Sequence, residues 1–390
     1  MTRAVYLRLT CVALALAACH HIDHSGEDGG GGGGGGTSDS GGGSGSDGGI
    51  PADADFSGIT ATSCADPTFY SPVPVRVTGL FSSDTTVYAF IDGTHWARIS
   101  AGSATTELIP LPAGRATMTG VRGGVEPNGK NLLLFNDGTQ LFASFFANGA
   151  FEDAVAVPPN TTAVHSDAEG NIVAVDASHV LWKLHNGAFA NYGALPIGTI
   201  SYDVPWTVSA SGVVYVAYLA DSATSTAKLY IVSRGPNDQT WTTAASYNES
   251  TYGFGGAAMA AGLDGSVHLI IGLGTTIPVV PSTNVFYYRS ADGVTWSGEL
   301  VDYDKNIVTF AARTYDSAQV IVSGTVEEEM PSGVILERRC NKPPNGLWPE
   351  ATISSTPADL TVSYGAFNEV GVSAAAFWDS FNQQAVAQRH

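Results

Sequence analysis

Positive charge is scarce in this chain. Its 390 residues carry 17 Lys and Arg against 36 Asp and Glu, a net charge of −19 with histidine neutral. Gripping a phosphate backbone requires clustered Lys and Arg, so nucleic acid is not an expected partner. An acidic surface instead favours solubility. Cysteine is nearly absent too: there are four, none spaced as C-x-x-C, which removes the thioredoxin-type and zinc-ribbon readings. Long apolar runs are missing. The stretch Leu9 to Ala15 falls far short of the ~20 residues that a membrane-spanning helix needs, and nothing later reaches that length. Helical periodicity is almost absent beyond residue 55. A loose dinucleotide pattern, Gly253-Phe254-Gly255-Gly256-Ala257-Ala258, reads as having neither a strand before it nor a helix after it. His179 and His185 have no obvious third ligand. No cofactor and no metal is therefore expected.

What is present begins at the N-terminus. Arg3 and Arg8 bracket a short basic start, Leu9 to Ala15 are apolar, and small residues run up to Cys19. Residues 1–18 thus read as a secretory signal. The ending Leu16-Ala17-Ala18-Cys19 resembles the lipobox of bacterial lipoproteins. That resemblance implies cleavage before Cys19 and acylation of its thiol, leaving an exported protein on a lipid anchor. His20, rather than Asp, after the cysteine implies the outer membrane or cell surface. Loss of residues 1–18 removes Arg3 and Arg8 but no acid, so the net charge deepens from −19 to −21.

Residues 19–50 read as a lipidated cysteine followed by a linker. The glycine run Gly29–Gly36 gives way to Ser, Gly and Asp through Gly49, a composition that buries nothing and stays disordered. As a flexible coil of about 30 residues it holds its ends roughly 30 Å apart. His20, His21, Asp23 and His24 cluster at its start but sit on a flexible segment and are not taken as a metal site. With Cys11 in the signal and Cys19 acylated, Cys64 and Cys340 remain. An exported chain meets an oxidising compartment, so one disulfide is expected, with two buried free thiols as the alternative.

Residues 56–390 have a different texture, with short apolar segments broken by turn residues. One turn recurs at Asp84-Thr85, Asn128-Gly129, Glu169-Gly170, Ser211-Gly212, Asp264-Gly265, Asp316-Ser317 and Glu369 to Gly371. Each precedes a β-rich segment such as NLLLF or NIVAV. A later turn recurs as Asn148-Gly149-Ala150-Phe151, Asn186-Gly187-Ala188-Phe189 and Asp292-Gly293-Val294-Thr295-Trp296. Four short antiparallel strands, a to d, every 40 to 55 residues predict the blades of an all-β, seven-bladed β-propeller. The last repeat runs out after strand c, near Ala385 to Gln388. A segment near Cys64–Tyr70 is expected to supply the missing outer strand, closing the ring with both termini and bringing Cys64 towards Cys340.

Ser290-Ala291-Asp292-Gly293-Val294-Thr295-Trp296 resembles the Asp-box of BNR repeats in sialidase-like propellers, one residue short between Asp and Gly. The resemblance implies a structural turn, with Asp taking backbone donors and Trp packing between sheets. It speaks to fold and not to catalysis.

The repeat lengthens from about 41–45 residues early to about 52–54 later, and insertions on one face mark a binding side. The added residues are read into the b–c loops, Ala220 to Ala227, Gly272 to Asn284 and Gly324 to Gly333, over blades four to six. Ile277 and Val279 form an apolar tip stiffened by Pro278 and Pro281. The adjoining d–a loops are expected to bring Tyr202, Asp203 and Trp206, then Tyr247, Asn248 and Tyr252, then Asp302, Tyr303 and Asp304. Aromatic planes among carboxylates suit a glycan or anchors for a protein partner. The expected function is a membrane-anchored binding module for a glycan or protein. The alternative is a sialidase-like glycoside hydrolase. That chemistry needs three arginines, for which Arg76, Arg122 and Arg313 are candidates, although Val75-Arg76-Val77-Thr78 departs from the family's Phe/Tyr-Arg-Ile-Pro.

Overall fold

In the computed structural model the chain divides into two units, Met1–Asp47 and Gly48–His390. The described residues are 69–389, interrupted at 74–76, 84–85, 101–102, 198–203, 222–226, 250–252, 275–282, 303–305, 315–316, 327–332, 341–349, 358–359, 368–372 and 380–383. All therefore lie in the second unit. Their regular structure is entirely β.

Five sheets are four-stranded antiparallel meanders of consecutive strands, here called A (residues 79–108), C (161–194), D (206–249), E (253–302) and F (306–357). Sheet B (119–156) follows the same plan, but its outer strand is split. Ala150–Phe151 and Val155–Ala156 both pair with Leu141–Ala147. Sheet G takes Leu360–Phe367, Ser373–Asp379 and Gln384–Arg389 from one end of the chain and Phe69–Val73 from the other. That last pairing runs antiparallel from Phe69↔Arg389 to Val73↔Ala385. The added strand thus starts near the end of the segment expected to supply it. Cys64 lies outside the described residues, and Cys340 ends the third strand of sheet F, Gly333–Cys340.

A repeated turn makes each meander. Between the first and second strands of sheets B to E, Gly129, Gly170, Gly212 and Gly265 have φ of 76°, 82°, 79° and 84°. Glycine enters this left-handed region without the cost a Cβ would bring. A neighbouring short polar side chain then takes a freed backbone N–H. Asn128 accepts from Lys130 at 3.0 Å, Asp167 from Asn171 at 2.8 Å, Ser209 from Val213 at 3.2 Å and Asp264 from Ser266 at 3.1 Å.

The second strands of sheets A to E are buried on both faces, and alternation decides which neighbour each side chain meets. Leu133 and Phe135 pack with Phe81, Phe90 and Trp96 of sheet A. Leu132 and Leu134, pointing the other way, pack with Val164, Ile172 and Ala174 of sheet C. Equivalent clusters join C to D, D to E, and E to F. The first strands of successive sheets also lie against one another, and Leu360–Phe367 of sheet G lies against Gly79–Ser83 of sheet A. Face-to-face stacking about adjoining first strands is the arrangement of a β-propeller.

Two sequence expectations are corrected. Much of the added length in the later repeats lies in strands rather than loops. Val214–Asp221 pairs with Ala227–Arg234 over eight rungs, and Val267–Gly274 and Ser317–Val326 likewise run into the expected loops. Continued pairing satisfies backbone groups that a loop would have to hydrate. Trp206, Tyr247, Asn248 and Asp302, expected on loops, also belong to strands: Trp206–Val208, Thr242–Glu249 and Trp296–Asp302.

Sheet E contains a polar chain that runs inward from the exposed Asp264 with one consistent direction. Ser266 Oγ donates to Asp264 Oδ1 at 2.5 Å and lies 2.7 Å from His268 Nε2, while His268 Nδ1 lies 2.6 Å from the Tyr287 hydroxyl. With the Ser266 proton committed to Asp264, Nε2–H must donate to Ser266, and Nδ1 must accept from Tyr287. This is the neutral ring. Burial pushes the imidazole down from 6.5 to about 3, against the pull of Asp264. The unfolded chain binds this proton at higher pH than the folded one. Stability is therefore full above pH ~6.5 and declines as pH falls towards 3. Asp92, held down from 3.8 to about 2 chiefly by the Thr94 N–H, contributes stability present above pH ~4 and lost as pH falls through 2. Acidification should lower the thermal midpoint in two stages, the first beginning near pH 6.5. Circular dichroism melts of His268→Gln should lack that first stage; an unchanged slope between pH 7 and 4 would contradict this assignment.

Candidate functional site

The sequence-selected residues fall unevenly. Tyr202, Asp203, Tyr252, Ile277, Val279, Tyr303, Asp304, Cys19, Cys64 and Arg76 lie outside the described residues. Arg313 is on Asn306–Thr314 and Cys340 on Gly333–Cys340, with their side chains outside the described set. Asp302 is half-buried at the end of sheet E. Trp206 and Arg122 are the two that the structure brings together.

They line one cavity of about 380 Å³, built by the first strands of sheets B to E and by connections that follow them. Arg122 comes from Thr119–Val125 of sheet B, His165 from sheet C, Trp206 from sheet D, and Ala257, Ala258 and Met259 from sheet E. His179 lies on a b–c connection and Leu195, Val204 and Pro205 on the connection between sheets C and D. The volume lies at the lower end of the ~300–1,000 Å³ range of small-ligand sites.

Arg122 owes its position to backbone irregularity. The segment Thr119-Gly120-Val121-Arg122-Gly123-Gly124-Val125 carries a register shift between Thr119 and Arg122 against the neighbouring strand. Gly120 and Gly123 have φ of 61° and 143°. Such a bulge re-aims a side chain and adds twist. Val121 turns into the core beside Met118 and Phe135, while Arg122 stays exposed at the cavity. Gly123 has no room for a side chain, because a Cβ there would sit 2.0 Å from the Leu132 carbonyl oxygen.

The floor is a chain of contacts across three sheets. Glu126, only 3 % exposed, follows the first strand of sheet B. One carboxylate oxygen accepts the Ser166 N–H at 2.8 Å, and the other lies 3.1 Å from His165 Nδ1. The imidazole meets Trp206 edge to face, with centroids 4.6 Å apart. Trp206 is buried in the cluster between sheets C and D, so it serves the core and the cavity together. Sequence reasoning missed His165 and Glu126. Neither stands in a motif, and their 39-residue separation is closed only by adjoining sheets.

His179 sits on the b–c turn of sheet C at φ 60°, uncommon for a residue with a side chain. Asp176 anchors the same turn. It accepts the Ser178 and Val180 N–H groups and the Trp182 indole N–H at 2.9 Å. Although burial opposes it, these donors hold the Asp176 carboxyl below its ordinary value.

A second cavity, of about 460 Å³, lies between the outer strand of sheet C and a turn of sheet D. Its cation is occupied structurally: Arg234 stacks on Tyr192 at 4.0 Å and donates to the Tyr192 and Asp238 carbonyls. The Asp-box-like turn is structural too. Asp292 accepts N–H groups from Val294 and Thr295 and hydroxyls from Ser290 and Thr295, which hold its carboxyl below the usual range. Trp296 packs edge to face with Tyr215 of sheet D.

No family model and no curated protein matches the chain. Similar solved structures include YCF48 bound to D1 peptide, 11 % identical with a TM-score of 0.46, covering 83 % of this chain and 97 % of that one. Virginiamycin B lyase from Staphylococcus aureus is 11 % identical with a TM-score of 0.43, over 83 % and 100 % of the two chains. A chain of the mitotic checkpoint complex is 9 % identical with a TM-score of 0.47, over 84 % and 95 %.

The bulge yields a direct expectation. Gly123→Ala should destabilise the chain by at least about 1–3 kcal/mol, the cost of a side chain in a disallowed backbone region. Gly124→Ala, whose Cβ would meet nothing within 4 Å, should cost little. Equal denaturant midpoints for the two variants would contradict the account of how Arg122 is placed.

Proposed function

We propose that this chain is a binding module: a closed, seven-bladed propeller that captures a peptide or protein in the Arg122–His165–Trp206 cavity. The carrying observation is the cavity itself. An exposed guanidinium and a half-buried imidazole meet apolar walls at the adjoining first strands of four sheets. Hydrolysis would call for a carboxylate or nucleophile facing the ligand. Among the described residues no carboxylate lines the cavity, and Glu126, which touches the lining residue His165, is committed to Ser166 and His165. A glycan would seek several acceptors for its hydroxyls, and the described lining offers few.

The blade count rests on the recurring turn in the sequence together with the sheets that follow it. Ring closure is supported by the pairing of Phe69–Val73 with Gln384–Arg389 and by the contact of sheet G with sheet A. A Cys64–Cys340 disulfide would add a covalent lock near the junction, stabilising by up to ~4 to 5 kcal/mol in the chain-entropy model. We further propose that lipid on Cys19 and the linker to residue 50 hold this module at the outer membrane or cell surface.

Two measurements test the reading. On arrays carrying envelope peptides and glycans, the wild-type full chain should be retained on peptide spots, and Arg122→Glu should lose at least tenfold in signal with an unchanged melting curve. Retention indifferent to Arg122→Glu would remove the cavity from the function. In cell fractionation, Cys19→Ser should move the chain out of the membrane fraction; a variant that stays there would refute the anchor.

A further inference from the structure

From the chemistry of the cavity wall we infer the group that it receives: the free C-terminal carboxylate of a peptide ending in an apolar residue. This deepens the binding reading above and rests on it.

The charged and titratable groups on the described wall are Arg122, His165 and His179. No Asp or Glu is among them, in a chain where acids outnumber Lys and Arg by 36 to 17. Glu126 is not a lining residue and meets the wall at His165 Nδ1, 3.1 Å away. Arg122 forms no ion pair with a described residue, whereas Arg115 on the preceding connection is bound to Asp137 at 2.9 Å and lies over the Phe142 ring. A guanidinium that no described residue pairs with presents, at a cavity, a planar fork of donors that matches a carboxylate in bidentate fashion.

His165 narrows the ligand further. Its Nδ1 lies 3.1 Å from a Glu126 carboxylate oxygen, which places a hydrogen on Nδ1, and in that tautomer of the uncharged ring Nε2 is left as an acceptor. An acceptor suits a main-chain N–H better than a second carboxylate. Apart from Thr162, whose hydroxyl donates to the Val175 carbonyl, the remaining wall, including Leu195, Val204, Pro205 and Met259, is apolar and suits an aliphatic last side chain. Carboxylate, adjacent N–H and apolar side chain occur together at a peptide C-terminus. An acidic sugar would bring its carboxylate with hydroxyls that this wall leaves without partners.

The test uses acetyl-Ala-Val-Leu with a free carboxylate and the same peptide amidated, each titrated calorimetrically into the full chain. The acid should bind at least tenfold more tightly than the amide. Arg122→Gln should erase that ratio, and Arg122→Lys should keep part of it, because a point charge replaces the fork. Equal affinities for acid and amide, a ratio that survives Arg122→Gln, or no binding of the acid would each overturn this inference. Cavity-dependent retention on the arrays would still stand in those cases. Loss of that retention is the separate result that removes the binding reading.

Discussion

A sheet of four short strands has two apolar faces and no interior of its own, and everything else in this chain follows from covering both. In sheet B the alternation Leu132, Leu133, Leu134, Phe135 sends successive side chains to opposite neighbours, and none of the four is more than 1 % exposed. Each such side chain contributes on the order of 1.5–3 kcal/mol by leaving water. A single sheet could realise half of that. Stacking realises all of it, and adjoining first strands are the geometric consequence.

Those first strands cannot all be regular. Register shifts occur in the first strands of sheets B, C, E, F and G. A bulge sharpens twist where neighbouring strands crowd. In sheet B the same irregularity turns Val121 inwards and leaves Arg122 outwards, flanked by glycines that tolerate the backbone. In sheet E, Gly256 at φ 103° precedes Ala257 and Met259, whose small and pliable side chains complete the opposite wall. The cavity is thus a by-product of how strands are accommodated, furnished by the few side chains placed there.

How much of this the sequence disclosed differs by level. The turns were legible because their chemistry is local. Gly at the left-handed position and Asn, Asp or Ser beside it are needed within three or four residues of each other, and Gly129, Gly170, Gly212 and Gly265 stand where that pattern puts them. Strand ends were less legible: Val214–Asp221 continues past its apolar core because pairing, not hydrophobicity, sustains its last rungs. The cavity was legible only in fragments. Trp206 stood out as an aromatic and Arg122 as one of three arginines that a sialidase-like site would need, but neither spacing nor composition links them to His165 and Glu126. Those residues meet through sheet stacking, which joins positions 39 to 84 apart in sequence. Such meetings are not written in any local pattern.

Charge gives the cavity a selectivity that its lining alone would lack. A chain at net −19 repels anions over roughly a Debye length, about 8 Å at physiological ionic strength. A ligand bearing many negative charges pays that repulsion on every charge but gains Arg122 on one. A neutral peptide with a single terminal carboxylate incurs it once, and recovers it at short range where the guanidinium fork and apolar walls act together. The acidic surface therefore works against polyanions as the pocket works for one carboxylate, so discrimination arises as much from what is repelled as from what is held. Raising salt should then act in two opposing directions, relieving the approach while weakening the contact. The net salt dependence of a single-carboxylate ligand is accordingly shallow, in contrast to the steep loss that marks binding by a basic patch.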